Sequence, residues 1–378
     1  VYTTAFAPAP HGYAQQALLD AAMRTWPAEA HKSLARFFGA VGVETRHLAL
    51  PHDAYARMHG FGEFNRAWQR AALAIGERVI QEALTRAEHS HPAQPTRTPI
   101  AVRELSQLTT VTTTGLIVPT LDARWMHRLG LSAHTQRVPL FGLGCAGGVA
   151  GLARTADFLR AYPRACALVV AVELCSLTLQ RTATDAANLL SSALFADGAA
   201  AVLMLGAEHP RLEAEDAARP ASDATGIGRR PKVIGSRSVL FEDSESVMGW
   251  EFDEHGLHVV LSAEVPQIAR TRLAPALDAF LGHHRLRRDD IDTWIAHPGG
   301  PKVIDALQTG LQLPAHALQP SRESLARYGN MSSVSVLSVL HDVMHAANSP
   351  VAAPAPASHG VMIAMGPGFS AEFVLLRW

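Results

Sequence analysis

Residues 165–174, ACALVVAVEL, are apolar at every position but Glu173 and read as one buried strand. A chain built on such a strand must cover it with other layers. The flanking segments offer helices. Helical spacing is expected over 13–40, 61–88, from the turn at 145–148 to Pro163, over 263–284, 301–311 and 328–347. Strands are expected near the end of 99–113, at 138–144, 293–298 and 360–368. The stretch 188–206 passes from helix through an Asp197-Gly198 turn into another strand. This alternation predicts an α/β architecture with buried sheets. Residues 207–232 break the pattern: they are charged, contain proline and show no periodicity. The expected division is 1–207, a connecting segment 208–232, and 233–378, two similar α/β halves. The APAPA stretch at 353–357 reads as a surface loop.

Composition narrows the function. The 378 residues are 48% apolar and 18% charged, which excludes disorder as the main state. The net charge is −1, and aromatics are 6%. Neither a basic face for nucleic acid or anionic membranes nor a stacking platform for single strands is expected. Glu173 and Asp197 interrupt the most apolar stretches, so no membrane span is expected. The opening VYTTAFAPAP has no basic start or long apolar run and reads as no secretory leader. Cys145, Cys166 and Cys175 form no C-x-x-C pair and no disulfide framework, which fits a reduced, cytoplasmic protein.

The sharpest local feature is FGLGCAGGVAGL, 141–152. A strand ends, glycines allow a tight turn, Cys145 sits at the apex, and a helix begins. A thiol at a helix N-terminus is drawn towards thiolate. This is a nucleophile elbow with Cys for Ser. Gly142, Gly144 and Gly147 also spell G-x-G-x-x-G, the dinucleotide fingerprint of an NAD(P)-dependent oxidoreductase. Against that stand the Cys in the turn and the lack of an acid about 20 residues on. A third reading is a glycine turn around an inert core Cys. A nucleophilic Cys needs an imidazole partner and oxyanion donors. Of 19 His residues, His297 stands out at a strand end, framed by Pro298, Gly299, Gly300 and Pro301. Asn330 has a similar setting in RYGNMSS, where a plain helix N-cap is the bland reading. His341 and His345 share a helix face but lack a third ligand, so no metal is expected.

The strings GLGCAGG (142–148), ALFADGAAA (193–201), WIAHPGGP (294–301), YGNMSS (328–333) and MGPGFS (365–370), with Cys145, His297 and Asn330 in this order, resemble the type III polyketide synthases, the chalcone synthase family. Weaker likeness runs from about residue 13 to Trp378. The resemblance implies a thiolase-type fold, two α/β halves in αβαβα layers, and a homodimer. It implies acyltransferase chemistry on CoA thioesters, with no cofactor: decarboxylative condensation of malonyl-CoA onto an acyl-CoA starter. By position, Cys145 matches the nucleophile carrying the acyl chain. His297 and Asn330 match the pair that binds the malonyl thioester carbonyl and stabilises the enolate. Phe195 matches the aromatic gatekeeper between CoA tunnel and cavity.

The departures bear on specificity. Val259 stands at a second aromatic position and Trp250 at a small one. Cys175, Thr113, Thr178 and Ser332 fall on cavity positions, and Val118 on the position that reaches into the partner's cavity. Arg36 matches a CoA-phosphate cation; another such position is Ser33 beside Lys32, and a further one is Ala40. VELCSLTLQ and VMGW look like the bacterial alkylpyrone and alkylresorcinol branch, so a fatty acyl starter is the expectation. An apolar tail gains roughly 0.8 kcal/mol per buried CH₂. The alternative is a malonyl-CoA-primed synthase of a hydroxylated naphthalene.

Overall fold

The strand at the centre of that reading, β6 (Cys166–Leu174), is buried at all nine positions. The structure, a computed structural model, describes residues 1–87, 100–178, 180, 183–212, 230–253, 256–345 and 354–378. The 208–232 segment therefore lies mostly outside the described residues, as does the start of the APAPA stretch. In the first sheet β6 is third of five, in the order β1 (Thr3–Pro8), β7 (Asp197–Leu205), β6, β4 (Leu105–Thr112), β5 (Gln136–Phe141). β4 runs parallel to both β5 and β6, and β7 antiparallel to β6 and β1. The second sheet has the order β11 (Thr293–Ala296), β12 (His359–Gly366), β13 (Ser370–Arg377), β8 (Lys232–Leu240). Two ribbons complete the strands, β2 (His11–Ala14) with β3 (Thr45–Leu48), and β9 (Met248–Asp253) with β10 (Gly256–Leu261).

Five layers result. Helix α3 (Gly60–Arg86), with α4 (Leu121–Leu129) against it, covers the outer face of the first sheet. Between the sheets lie α5 (Gly147–Ala161) and α10 (Ser333–Met344), buried along most of their length. Val149, Leu152, Val336 and Leu337 join Val169 of one sheet and Val374 of the other in a common core. On the far side α7 (Val265–His283) packs with α8 (Pro301–Gly310), and Phe280 stacks on Phe373 of β13 at 5.9 Å. Of the remaining helices, α1 (Gln15–Thr25), α2 (His31–Ala40) and α6 (Ala186–Leu194) line the cavities described below, and α9 (Gln319–Tyr328) packs against α10 and β3. No helix among the described residues is long and apolar enough to cross a membrane.

Three expectations need correction. The helix over 13–40 is two, because Pro27 has no N–H to continue α1 and holds Trp26 extended, ψ 152°. Asp197-Gly198 is not a turn but the start of β7; Phe195 and Ala196 make the link. The helix over 328–347 begins only at Ser333, because α9 ends at Tyr328 and Gly329 to Ser332 form the connection.

Candidate active site

Cys145 occupies a single 3₁₀ turn, Gly144–Ala146, that runs straight into α5. The glycines around it are explained by contact. Gly144 takes φ +49°, and a Cβ there would stand 2.6 Å from Pro367. A Cβ on Gly147 would meet Val111 at 2.5 Å, and one on Gly148 the Ser333 carbonyl oxygen at 2.3 Å. At Gly144 and Gly147 the G-x-G-x-x-G spacing thus serves turn and helix packing, and Pro367 of MGPGFS sits against the GLGCAGG turn.

The Cys145 Sγ lies 3.7 Å from Ser332 Oγ. Burial pushes the thiol up to about 12, opposed by hydrogen bonds to Ser332 and Asn330. His297 follows β11, with its N–H donating to the Ile363 carbonyl at 2.8 Å. It is 3% exposed, and neither ring nitrogen has a partner among the described residues. Burial pushes this imidazole down to about 3. Taken singly, both groups are driven towards neutrality. They face one cavity, so moving the thiol proton to the imidazole creates opposite charges that attract strongly out of water.

Asn330 is fixed by its backbone. Its N–H donates to the Leu194 carbonyl at 3.0 Å, and its carbonyl accepts from Ala196 N–H at 2.8 Å. These two bonds clip Asn330 to Phe195 as an isolated bridge. The Asn330 Oδ1 accepts from Ser332 N–H at 2.8 Å, and Nδ2 stands 3.5 Å from the Gly299 carbonyl. Ser332 has φ +49°, a strained value for a residue with a side chain. Its hydroxyl is thereby set beside the thiol.

Cys145, His297, Asn330, Ser332, Phe195, Trp250 and Val259 line one cavity of about 360 Å³. Phe195, Trp250 and Val259 also border a second chamber that holds Cys175 and Thr178 and is walled by Leu18, Ala22, Trp26 and Phe38. Thr113 lines neither. Its hydroxyl accepts from Gly144 N–H at 3.1 Å and its N–H donates to Glu173, so it braces the nucleophile turn. Val118 is 90% exposed and lines no described cavity of its own chain. Arg36 and Lys32 sit exposed on α2; Arg36 lies over the Phe37 ring, which lines the cavity. His341 and His345 stack at 4.2 Å, and His341 Nδ1 bonds Thr4 Oγ1 at 3.0 Å.

Two groups escaped the sequence reading. Lys302, directly after the HPGGP string, lines the cavity, and its place in that string was the available signal. Glu173 accepts from Thr113 N–H, Thr114 Oγ1 and Ser333 Oγ, and burial raises it to about 7. No local pattern marks it, since its partners come from the segment just after β4 and from the start of α10.

Residues 25–209 match the family model of the chalcone and stilbene synthase N-terminal domain, and 233–378 that of the C-terminal domain. A 1,3,6,8-tetrahydroxynaphthalene synthase of Streptomyces peucetius subsp. caesius is 44% identical over 371 residues, 98% of this chain and 90% of that protein. An alpha-pyrone synthesis polyketide synthase-like protein, Pks18, of Mycobacterium tuberculosis is 33% identical over 277 residues, 73% of this chain and 66% of that one. The crystal structure of 1,3,6,8-tetrahydroxynaphthalene synthase from Streptomyces coelicolor A3(2), a bacterial type III polyketide synthase, superposes with a TM-score of 0.84. Its identity is 29%, covering 100% of this chain and 98% of that one.

Proposed function

Since the chain belongs to the chalcone and stilbene synthase family and is a type III polyketide synthase with a thiolase-type fold, we propose that it primes on malonyl-CoA and builds a hydroxylated naphthalene. This replaces the fatty acyl starter expected from the sequence. The 44% identity to a tetrahydroxynaphthalene synthase across 98% of the chain supports it.

The observation that carries the site reading is the unpartnered, buried imidazole of His297 in the same cavity as Cys145 and Asn330. Cys145 gives its proton to His297, attacks the starter thioester carbonyl, and expels CoA thiol. A second malonyl-CoA places its thioester oxygen against His297 and the Asn330 amide. Loss of CO₂ leaves an enolate, whose negative oxygen these donors stabilise. The enolate carbon attacks the Cys145 thioester, a C–C bond forms, and the Cys145 sulfur leaves. The lengthened chain returns to Cys145 for the next round. Phe195, Trp250 and Val259 bound the space in which it folds.

A second reading keeps a fatty acyl starter. The apolar wall of Leu18, Ala22, Trp26 and Phe38 behind Phe195 favours it. A starter panel separates the two: malonyl-CoA alone, then with acetyl-, lauroyl- or palmitoyl-CoA, read by mass spectrometry. A tetrahydroxynaphthalene, or its oxidation product, from malonyl-CoA alone supports the first. Alkylated pyrones only when a long-chain starter is present overturn it.

The homodimer is part of the same proposal. Among the described residues strand β5 is an edge of its sheet, and Phe141 at its end is 49% exposed; Val118 is 90% exposed. Pairing two such edges removes both. Arg36, Lys32 and Lys302 are the cations at hand for CoA phosphates. Action in the cytoplasm belongs to this proposal too.

A further inference from the structure

Arg46, on β3, is 4% exposed and lines the second chamber beside Phe195. A buried guanidinium must spend its donors on the protein. The Arg46 Nη1 donates to the carbonyls of Ser192 at 2.6 Å and Phe195 at 3.0 Å. Its Nε donates to Gln15 Oε1 at 2.8 Å, and Gln15 Nε2 donates in turn to the Ala193 carbonyl at 2.8 Å. The carbonyls of Ser192 and Ala193, in the last turn of α6, and of Phe195 just beyond it are thus all taken up by this pair. Helix-end carbonyls are where a cation is favoured. Asp197, also fully buried, supplies the opposite charge; its oxygens accept from Ala49 N–H and Ser176.

Phe195 borders both chambers, and its bridge partner is Asn330. The same arginine reaches the other side of that bridge. Gly329, the residue before Asn330, leaves room for it: a Cβ there would stand 3.0 Å from Arg46 Cγ and 3.1 Å from Ala196 Cβ. One side chain therefore braces the gatekeeper's backbone and packs against the chain leading into Asn330. The backbones of Cys145 and His297 rest on other supports, the α5 turn and β11, and Cys145 meets this unit only through its side-chain contacts with Ser332 and Asn330.

We propose that Arg46 is a positioning residue, a buried strut that sets Phe195 and Asn330 together and so serves malonyl decarboxylation and condensation, but not the reactivity of Cys145. The inference rests on the roles assigned above to Asn330 and Phe195. Lysine at this position keeps the charge but cannot reach both α6 carbonyls and Gln15 as a planar fork does.

The test uses the full-length enzyme and two readouts. One is malonyl-CoA decarboxylation, the other the rate at which iodoacetamide alkylates Cys145. In Arg46→Lys, decarboxylation is expected to fall roughly 10-fold, and in Arg46→Met roughly 100-fold, the scale of a group misplaced by about 1 Å. Alkylation of Cys145 should stay within about two-fold of wild type in both. Gln15→Ala should show a smaller effect of the same kind. Arg46→Lys combined with Asn330→Ala should be no slower than Asn330→Ala alone. If Arg46→Met fails to fold, Arg46→Lys carries the comparison. Equal losses in decarboxylation and alkylation, or no loss in decarboxylation, overturn the inference. Asn330→Ala separates it from the site reading. If that variant decarboxylates malonyl-CoA at the wild-type rate, the reading of the site fails. If it is inactive while Arg46→Lys and Arg46→Met decarboxylate normally, only the strut fails.

Discussion

At the residue scale the site works by withholding water. Burial, with Glu173 adding to the rise, pushes the Cys145 thiol up to about 12, and burial pushes the His297 imidazole down to about 3. Proton transfer between them charges both at once, so removing one leaves the other without a counter-charge. His297→Gln is expected to raise the apparent pKa of Cys145. A higher thiol pKa means less thiolate at every pH below it, tenfold per unit, so alkylation at pH 7 should fall at least about 10-fold. An unchanged pH–rate profile would deny the coupling. Glu173 offers a second pH test. Its carboxyl is raised to about 7 from the usual 4.5. Such a group adds stability while protonated in the fold; that contribution is full below about pH 4.5 and is lost as pH rises towards 7. At about 1.4 kcal/mol per unit, a few kcal/mol are involved. Urea unfolding at pH 5 and pH 8 should show wild type losing more stability than Glu173→Gln. Equal losses would mean that the carboxyl titrates normally. Cys145, His297 and Asn330 were legible because each sits in a short string whose glycines and prolines mark a turn at an element end. Glu173 and Arg46 were not. Each looks ordinary in its strand, and only the fold brings their distant partners to them.

At the element scale, Gly147 and Gly148 of GLGCAGG answer Ser333 at the start of α10. Helices α5 and α10 lie between the sheets and must come close, so small residues face each other there. Gly148→Ala would drive a methyl into the Ser333 carbonyl, 2.3 Å away. Overpacking of this kind costs roughly 1–3 kcal/mol. The same shift moves Cys145 away from Ser332. The expected result is a lower urea midpoint together with slower Cys145 alkylation; wild-type values for both would show that α5 has room. Most long elements were readable from periodicity and apolar runs, α3 and β6 above all. The breaks were harder. Pro27 splits a helix whose apolar spacing continues across it. Phe195 and Ala196 interrupt no pattern, because what ends α6 there is a buried cation from β3. The short ribbons and β13 carry too few residues, or too uniform a character, to announce their partners in the sequence.

At the scale of the molecule, two sheets enclose a buried helical layer, and the cavity opens where elements from both halves meet. β5 leaves an edge with Phe141 exposed at its end. Light scattering should give twice the 40.5 kDa chain mass, and Phe141→Glu should shift it towards one. A monomeric wild type would end the dimer proposal without touching the chemistry. The chemistry has its own test. The enzyme is mixed with malonyl-CoA, quenched within the first turnovers, digested, and its peptides weighed. The expected result is an acyl or poly-β-keto adduct on the peptide carrying Cys145, absent from Cys145→Ala. Product formation by Cys145→Ala, or an adduct found on Cys175 and never on Cys145, would contradict the assignment of the nucleophile on which the rest depends.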